Sequence, residues 1–417
     1  MNISKATNLK ELLEIKYEQL LKDSNTNFSD CIHKDFEKAY NKAIDSEFQK
    51  TSKELANDLN AESLSLHSIL HSVHAVKGSI GKLWGQIFQQ SILITDSEAF
   101  NYTVKFFPEF QKYQAKYNCD ISLGLDVKKL EKIINLCLKS DDIKYIVSLG
   151  GGRVMDIQKF LGYKSRKTMV AFPTSLASHV YASPKIHALP VIKEFGYKQT
   201  IDATAPHISF LDMHLLENLF EKNPRLIYAG LGDISAFITA KDDWISAKNK
   251  NGTERNYFVE SLIEDVIHWL KNFKIEDNFE TWAKDFHLTQ VLLCNITDWE
   301  GSAPASGSEH LFALSIEDFV SEPLPLHGEL VALGVIIMSV LQGQDHIGIS
   351  ELIDRLRLPR KLSIIGIDRN ILIQGFSNSL AKGIAKNRYT VLNEITNPNK
   401  VINDIFHTLN KNQIILD

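Results

Sequence analysis

Three short segments in the second half of the chain carry residues that could bind one metal ion. They are Gly230-Leu231-Gly232-Asp233, Ser306-Gly307-Ser308-Glu309-His310 and Leu326-His327-Gly328-Glu329. Together they offer one carboxylate, from Asp233, and two imidazoles, from His310 and His327. Such a set leaves room for a substrate oxygen, whereas closed structural sites usually rely on cysteine. The segments therefore predict a catalytic metal site.

Each of these residues also has an ordinary structural interpretation. Asp233 lies at or near the predicted start of a helix, where an aspartate often caps the free N–H groups. His310 and His327 each lie beside a predicted helix start, and either could be a capping or core histidine. Glu309 and Glu329 could accept hydrogen bonds from the imidazole nitrogens that do not bind the metal. Otherwise they are ordinary acidic residues in the first turn of a helix. The three candidates together, each within three residues of a glycine, favour the metal site.

A second group of candidates lies earlier and suits a dinucleotide. Ser148 to Asp156 predicts a strand, a turn at Gly150, Gly151 and Gly152, and a helix start that could receive a pyrophosphate. Asp96 ends an earlier strand, where it could bind a ribose diol or cap the next helix. The polar segment 173–184 follows another strand and could lie along the nicotinamide ribose. Three strand ends at one crevice are typical of ligand sites in open α/β sheets.

The elements that must position these residues are of two kinds. Short apolar runs with helix-sized spacing predict a parallel sheet covered on both faces, with strands at 90–95, 145–149, 168–172 and 208–211. After residue 215 the pattern predicts helices, at 226–244, 257–273, 279–295, 310–319 and 328–343. We predict a helical N-terminal extension over 1–65, an α/β dinucleotide-binding domain (parallel sheet, Rossmann-like) over 66–214 and an all-α metal-binding domain over 215–417.

The composition bounds the class of protein. With 417 residues, a hydrophobic fraction of 44% and a charged fraction of 23%, the chain is typical of a globular protein of more than one domain. The net charge of −5 and the scattered lysines give no indication of a nucleic-acid partner, so we expect none, and no apolar run is long enough for a bilayer. The four cysteines form no CxxC pair, which favours a reducing compartment. We expect a cytoplasmic protein that binds no membrane.

Five segments, in this order along the chain, resemble one family. They are Gly-Gly-Gly-Arg-Val-Met-Asp, Pro-Thr-Ser…Ala-Ser-Pro, Arg-Leu-Ile-Tyr-Ala-Gly-Leu-Gly-Asp, Pro-Ala-Ser-Gly-Ser-Glu-His-Leu-Phe and His-Gly-Glu-Leu-Val-Ala. Over residues 75 to 415 the chain resembles the glycerol-1-phosphate dehydrogenase branch of the dehydroquinate synthase-like and iron-containing alcohol dehydrogenase superfamily. The resemblance implies that Asp233, His310 and His327 bind the metal. It implies that the cofactor is lined by Gly150, Gly151, Gly152, Thr174 and Ser183, with Asp96 on the adenosine ribose. Asp156 and Ser175 lie in the same two segments, and we predict that they also bind the cofactor.

Two departures from the family pattern bear on the substrate. The family usually has a second histidine one helical turn after the first, where it contacts substrate; here that position is Leu314. The family's Ser-His-Asp-Gly segment has an aspartate that contacts substrate, whereas Ser178-His179-Val180-Tyr181 has none. This loop resembles the dehydroquinate synthase version, with Tyr181 in place of aspartate, but the Gly-Gly-Lys that follows in that enzyme is absent.

These observations predict a metal-dependent, NAD(P)-linked oxidoreductase. We expect a small substrate, phosphorylated or polyhydroxylated: a polyol phosphate, or a related alcohol or ketone, other than glycerol 1-phosphate. His179 could contact a phosphate or relay a proton. NAD is expected before NADP because Asp96 would repel a 2′-phosphate; the metal is expected to be zinc, with iron or nickel as alternatives. The protein is expected to form a homo-oligomer, a dimer. The alternatives are a dehydroquinate synthase-like cyclase or lyase that uses NAD transiently, and a non-enzymatic descendant.

Overall fold

The computed structural model describes most of the chain beyond residue 86. The described residues are 62–63, 72–76, 87–108, 115, 117–187, 189–197, 200–276, 278–321, 324–412 and 414. The predicted helical extension over 1–65 lies outside these residues, apart from a two-residue strand. By its internal contacts the chain divides into two compact units. The first includes the described residues up to Pro224 and the segment Ala283–Cys294; the second includes Arg225–Trp282 and the chain from Asn295 onward. The domain boundaries given above stay a prediction.

The first unit is built on a mainly parallel seven-stranded sheet in the order β1-β2-β9-β6-β5-β3-β4. The strands are β1 Glu62–Ser63, β2 Ser72–Val76, β3 Ser91–Thr95, β4 Tyr117–Asp120, β5 Tyr145–Gly150, β6 Thr168–Pro173 and β9 Ile208–Asp212. Only the edge pair β1–β2 is antiparallel among these strands. A separate antiparallel pair joins β7 Lys185–Ile186 to β8 Ile201–Asp202. The four predicted strands correspond to β3, β5, β6 and β9, which confirms them.

Both faces of this sheet are covered, as predicted. Alternate residues of one strand enter different cores: Leu93 packs in one cluster, whereas Ile92 and Ile94 pack in the other. Among the described residues, the helices of this unit, apart from the segment Ala283–Cys294, are α1 Ser97–Phe106, α2 Val127–Lys139, α3 Gly152–Ser165, α4 Pro190–Lys193 and α5 Met213–Lys222. Since parallel strands buried on both faces need apolar residues throughout, β3, β5, β6 and β9 read as continuous apolar runs.

The described part of the second unit is helical, which confirms the predicted all-α architecture. Its helices are α6 Arg225–Ser235, α7 Phe237–Asn251, α8 Tyr257–Asn272, α9 Phe279–Glu300, α10 Ser308–Glu317, α11 His327–Leu341, α12 His346–Arg355, α13 Leu362–Ile365, α14 Arg369–Ala385 and α15 Pro398–Lys411. The middle of α9 is the segment Ala283–Cys294 of the first unit.

One predicted helix is wrong in its extent. The pattern over 226–244 predicts a single helix, but the helix is interrupted at Ala236, between α6 and α7. There the Ser235 hydroxyl donates to the Gly232 carbonyl at 2.6 Å, and the Ala236 N–H donates to Asp233, three residues back. This tighter turn replaces the regular i→i−4 bonds and ends α6 just after Asp233.

Candidate active site

The three predicted metal ligands come together in the second unit. Asp233 lies in the last turn of α6, His310 is the third residue of α10, and His327 is the first residue of α11. Their ligand atoms all lie within 4.8 Å of one another. The Oδ1 atom of Asp233 is 3.5 Å from Nε2 of His310 and 3.8 Å from Nε2 of His327. Asp233 is therefore not the helix N-cap that its neighbours in the sequence allowed.

Two glycines let the helices that carry Asp233 and His327 approach each other closely. A Cβ atom on Gly232 of α6 would lie 2.0 Å from the carbonyl oxygen of Gly328 in α11. A Cβ atom on Gly328 would lie 1.7 Å from the carbonyl oxygen of Ala229. Neither space admits a side chain, so both positions require glycine. Since each glycine is next to a ligand in the chain, this crossing sets the distance between Asp233 and His327.

A carboxylate orients each imidazole through its other nitrogen. Nδ1 of His310 lies 2.9 Å from Oε1 of Glu309, and Nδ1 of His327 lies 2.7 Å from Oε1 of Glu317. A carboxylate accepts only, so each Nδ1 carries a proton. Each Nε2 is then the atom that could bind a metal ion beside Asp233, once it has lost any proton of its own. The role suggested for Glu309 is confirmed.

The same role suggested for Glu329 is wrong. The carboxylate of Glu329 binds the Arg225 guanidinium through two bonds of 2.5 and 2.6 Å. Sequence reasoning missed Glu317, which lies at the end of α10, ten residues before His327. No local spacing rule joins these two residues, because a loop lies between them.

The charges around the ligands favour a cation. Burial lowers the pKa of His327, but Glu317 and Asp233 outweigh it and raise that pKa to about 9. Burial also lowers the pKa of His310, and here Asp233 and Glu309 raise it overall. Three carboxylates that stabilise an imidazolium also attract a divalent metal ion. One carboxylate oxygen and two Nε2 atoms, converging at these distances, fit such an ion.

A buried network supports Glu309 behind this metal centre. Besides His310, Glu309 accepts bonds from the Thr239 hydroxyl at 2.8 Å and the Gly307 N–H at 2.6 Å. The neighbouring carboxylate of Asp243 accepts the N–H groups of Ser308 and Val391, each at 2.7 Å. Burial, with the charge of Glu309, raises the pKa of Asp243 to about 6. The network fixes the start of α10 and therefore His310.

The cofactor candidates of the first unit meet at the carboxyl ends of three neighbouring strands. Gly150 ends β5, and a Cβ atom there would lie 3.1 Å from Oδ2 of Asp96, which follows β3. The Thr174 N–H, just after β6, donates to the Gly150 carbonyl at 3.0 Å. A Cβ atom on Gly151 would lie 3.9 Å from Cβ of Ser175. This is the crevice position that the strand ends predict.

Asp96 caps a helix at the same time. Its Oδ1 atom accepts the Ala99 N–H at 2.7 Å and so starts α1. This is the structural alternative that its position in the sequence left open. The capping bond holds the Asp96 carboxylate beside Gly150. Binding of a ribose by this carboxylate stays a prediction.

Asp156, Ser183 and His179 are held by other contacts of this unit. Asp156 is buried, and its carboxylate lies 3.1 Å from Nζ of Lys159, which is fully buried. Lys159 donates to the Ser183 carbonyl at 3.3 Å and to the Lys185 carbonyl. His179 is half-buried, and its carbonyl accepts the Ala182 N–H at 3.0 Å. The structure thus brings Asp156 and Ser183 together through a lysine, and places Asp156 in an interior ion pair.

Known proteins resemble this chain in sequence and in fold. Residues 86–218 match the family described as iron-containing alcohol dehydrogenase. Glycerol-1-phosphate dehydrogenase of Sulfolobus acidocaldarius is 34% identical over 283 residues, which cover 67% of this chain and 77% of that protein. The same enzyme of Sulfurisphaera tokodaii is 33% identical over 273 residues, 64% of this chain and 74% of that protein. The chain belongs to the iron-containing alcohol dehydrogenase family.

Solved structures agree with the iron-containing alcohol dehydrogenase fold. The glycerol dehydrogenase of Schizosaccharomyces pombe superposes with a TM-score of 0.59 at 15% identity, over 82% of this chain and 89% of that one. An iron-containing alcohol dehydrogenase of Thermococcus thioreducens gives a TM-score of 0.55 at 13% identity, over 82% of this chain and 98% of that one. These matches confirm the predicted fold class: a Rossmann-like domain followed by a helical domain.

Membership of the iron-containing alcohol dehydrogenase family also confirms the predicted class of enzyme. The protein is an oxidoreductase of the alcohol dehydrogenase type, in a family that uses NAD(P) and a divalent metal. None of the helices described above combines the length and apolar character that a membrane crossing requires.

Proposed function

We propose that the protein is an NAD(P)-linked dehydrogenase or reductase whose metal is held by Asp233, His310 and His327. The observation that carries this proposal is the convergence of one carboxylate oxygen and two imidazole Nε2 atoms within 4.8 Å. The carboxylates of Glu309 and Glu317 hold those imidazoles in the tautomer that a metal needs. A divalent metal, when bound, supplies Lewis acidity towards a hydroxyl or carbonyl oxygen of the substrate.

The first unit supplies the dinucleotide site in this proposal. Gly151 is the N-cap of α3, and the helix start offers free N–H groups and a partial positive charge to a pyrophosphate. Asp96, beside Gly150, would accept hydrogen bonds from the adenosine ribose. Because a carboxylate there repels a 2′-phosphate, the proposal favours NAD over NADP.

The substrate is proposed to be a small polyol phosphate, or a related alcohol or ketone. The relatives at 33% and 34% identity are named glycerol-1-phosphate dehydrogenases, which supports this class. Leu314 lies one turn after His310 in α10 and puts a hydrocarbon side chain where the family usually has histidine. The family's substrate-contacting aspartate aligns with His179 or Val180, and neither is a carboxylate. A less polar pocket favours a substrate other than glycerol 1-phosphate.

Metal analysis of the purified protein tests the metal centre. We expect one ion of zinc, iron or nickel per chain, and its loss in Asp233→Asn and in His310→Gln with the fold retained. His346→Gln is a matched control, because His346 lies in α12 and binds Asn412 at 2.9 Å. Unchanged metal content in both ligand variants would contradict the proposed site.

A substrate screen tests the reaction. Nicotinamide absorbance should change with a small polyol phosphate or ketone, and the change should be lost in His310→Gln. Robust turnover of dihydroxyacetone phosphate with NADH, at ordinary Michaelis constants, would rule out the altered substrate preference. It would leave the proposed dehydrogenase activity standing.

A further inference from the structure

A buried hydrogen-bonded group in the first unit joins the polar loop after β6 to helix α9. Tyr181, His287 and Gln290 are each 1% exposed or less. The Tyr181 hydroxyl lies 2.7 Å from Oε1 of Gln290 and 3.3 Å from Nδ1 of His287. Nε2 of Gln290 donates to the Leu176 carbonyl at 3.2 Å. One glutamine therefore holds the loop at two points, the backbone of Leu176 and the side chain of Tyr181.

The chemistry of the partners fixes the direction of every bond in this group. The Leu176 carbonyl only accepts, so the amide nitrogen of Gln290 must face it. The amide oxygen then faces Tyr181, and the Tyr181 hydroxyl must donate to it. With its proton used, the Tyr181 oxygen can only accept from Nδ1–H of His287. His287 is thus neutral with its proton on Nδ1, in accord with burial, which lowers its pKa to about 3.

The loop has further attachments at its other positions. The Ser209 hydroxyl of β9 donates to the Tyr181 carbonyl at 2.6 Å. Lys159 of α3 donates to the carbonyls of Ser183 and Lys185. The loop also lies against the glycine turn, since a Cβ atom on Gly152 would be 3.3 Å from Oγ of Ser178 and 3.5 Å from Cγ2 of Val180. A segment rich in small polar residues is thereby held in one place beside the candidate cofactor site.

We propose that Tyr181, Gln290 and His287 are positioning residues, which hold the loop 174–183 over the glycine turn in the conformation that binds the nicotinamide half of the cofactor. The inference rests on the proposed function for the identity of that ligand. Tyr181 occupies the position of an aspartate in the dehydroquinate synthase loop, and its hydroxyl is buried and bonded to Gln290. Tyr181 therefore contributes its hydroxyl to the fixing of the loop.

Hydrogen exchange of the protein without ligand tests the anchoring itself. Tyr181→Phe keeps the buried ring and removes one donor, so amides of 174–183 should exchange about fivefold faster. Gln290→Met removes both attachments and should give a larger increase. Adding Tyr181→Phe to Gln290→Met should have a smaller effect than Tyr181→Phe has alone, because the Tyr181–Gln290 bond is already lost and only the bond from His287 remains. Tyr197→Phe is the matched control, since its hydroxyl accepts from Lys164 at 2.8 Å elsewhere in the unit.

Nucleotide affinity tests what the anchoring does. In Tyr181→Phe the Kd for NADH should rise about fivefold, whereas the Kd for ADP, which lacks the nicotinamide half, should change much less. Equal weakening of both ligands, or unchanged loop exchange in both variants, would overturn the inference. If the unaltered protein binds neither NADH nor ADP, the proposed function fails, and faster loop exchange in Tyr181→Phe still supports the anchor.

Discussion

Each imidazole of the proposed metal centre is hydrogen-bonded to a carboxylate that is not itself a proposed ligand. Glu317 holds Nδ1 of His327 at 2.7 Å, and the same charge raises the pKa of that imidazole. Glu317→Gln keeps the shape but removes the charge, and its amide can turn a donor towards Nδ1. We expect the metal affinity to fall about 10- to 100-fold. Competition with a chromophoric chelator measures this affinity. Glu351→Gln, at an exposed position of α12, should not change it. Equal affinities in both variants would leave Glu317 without this role.

A half-buried histidine of the first unit, His207, makes stability depend on pH. His207 accepts the Met169 N–H through Nδ1 at 3.0 Å, and burial lowers its pKa from 6.5 to about 4. Its contribution is fully present above pH 6.5 and is lost as the pH falls towards 4, because the unfolded chain binds the proton first. In that window the free energy of unfolding should fall by up to about 1.4 kcal/mol per pH unit from this group. His207→Asn should flatten the denaturant-derived profile between pH 6.5 and 4; an unaltered slope would exclude this cause.

At the scale of elements, the crossing of α6 and α11 is the contact on which the metal centre depends. In Gly328→Ala the new methyl group would meet the Ala229 backbone carbonyl, which cannot move without shifting α6. We expect a loss of at least about 3 kcal/mol in stability together with weaker metal binding. In Gly383→Ala, a matched helical glycine, the nearest atom is the tip of the Leu311 side chain at 3.0 Å. That variant should keep the metal. Thermal unfolding and metal content of both variants decide the point, and metal retained in Gly328→Ala would argue against it.

Local patterns were enough to predict the central strands and most of the helices. The apolar runs that became β3, β5, β6 and β9 are buried on both faces, so their composition shows their role. Strand β4, Tyr-Asn-Cys-Asp, lies at the sheet edge with its first two residues exposed, and no apolar run marks it. The break at Ala236 depends on a side-chain bond from Ser235, which periodicity does not detect.

The residues of the candidate site that could be predicted are those marked by their near neighbours in the sequence. Asp233, His310 and His327 stand out because each lies within three residues of a glycine in a short segment, and the structure brings them together. Glu317, Arg225 and the pair of Tyr181 with Gln290 were beyond reach, since each finds its partner at least ten residues away. Such partners are brought together by the packing of helices. A single sequence, read alone, carries no direct signal of that packing.

At the scale of the whole molecule, the candidate ligand sets divide between the two units. The metal ligands all belong to the second unit, and the cofactor candidates all belong to the first. A ligand that binds only the folded state stabilises the unit that holds its site, by about 2.7 kcal/mol at 100 times its Kd. Removing the metal with a chelator should therefore lower the stability of the second unit, where the carboxylates then face two imidazoles without a divalent cation. ADP should protect the first unit with or without the metal.

Hydrogen exchange read separately over the two units measures this division. With the chelator, peptides around Asp233, His310 and His327 should exchange faster, while peptides of β5 and α3 should not change. With ADP, the turn at Gly150 to Gly152 should slow, and the metal centre should not. His310→Gln is the control for the chelator, because a protein that has already lost its metal should show no further effect. Loss of protection in β5 and α3 on metal removal would contradict the assignment of each ligand to one unit.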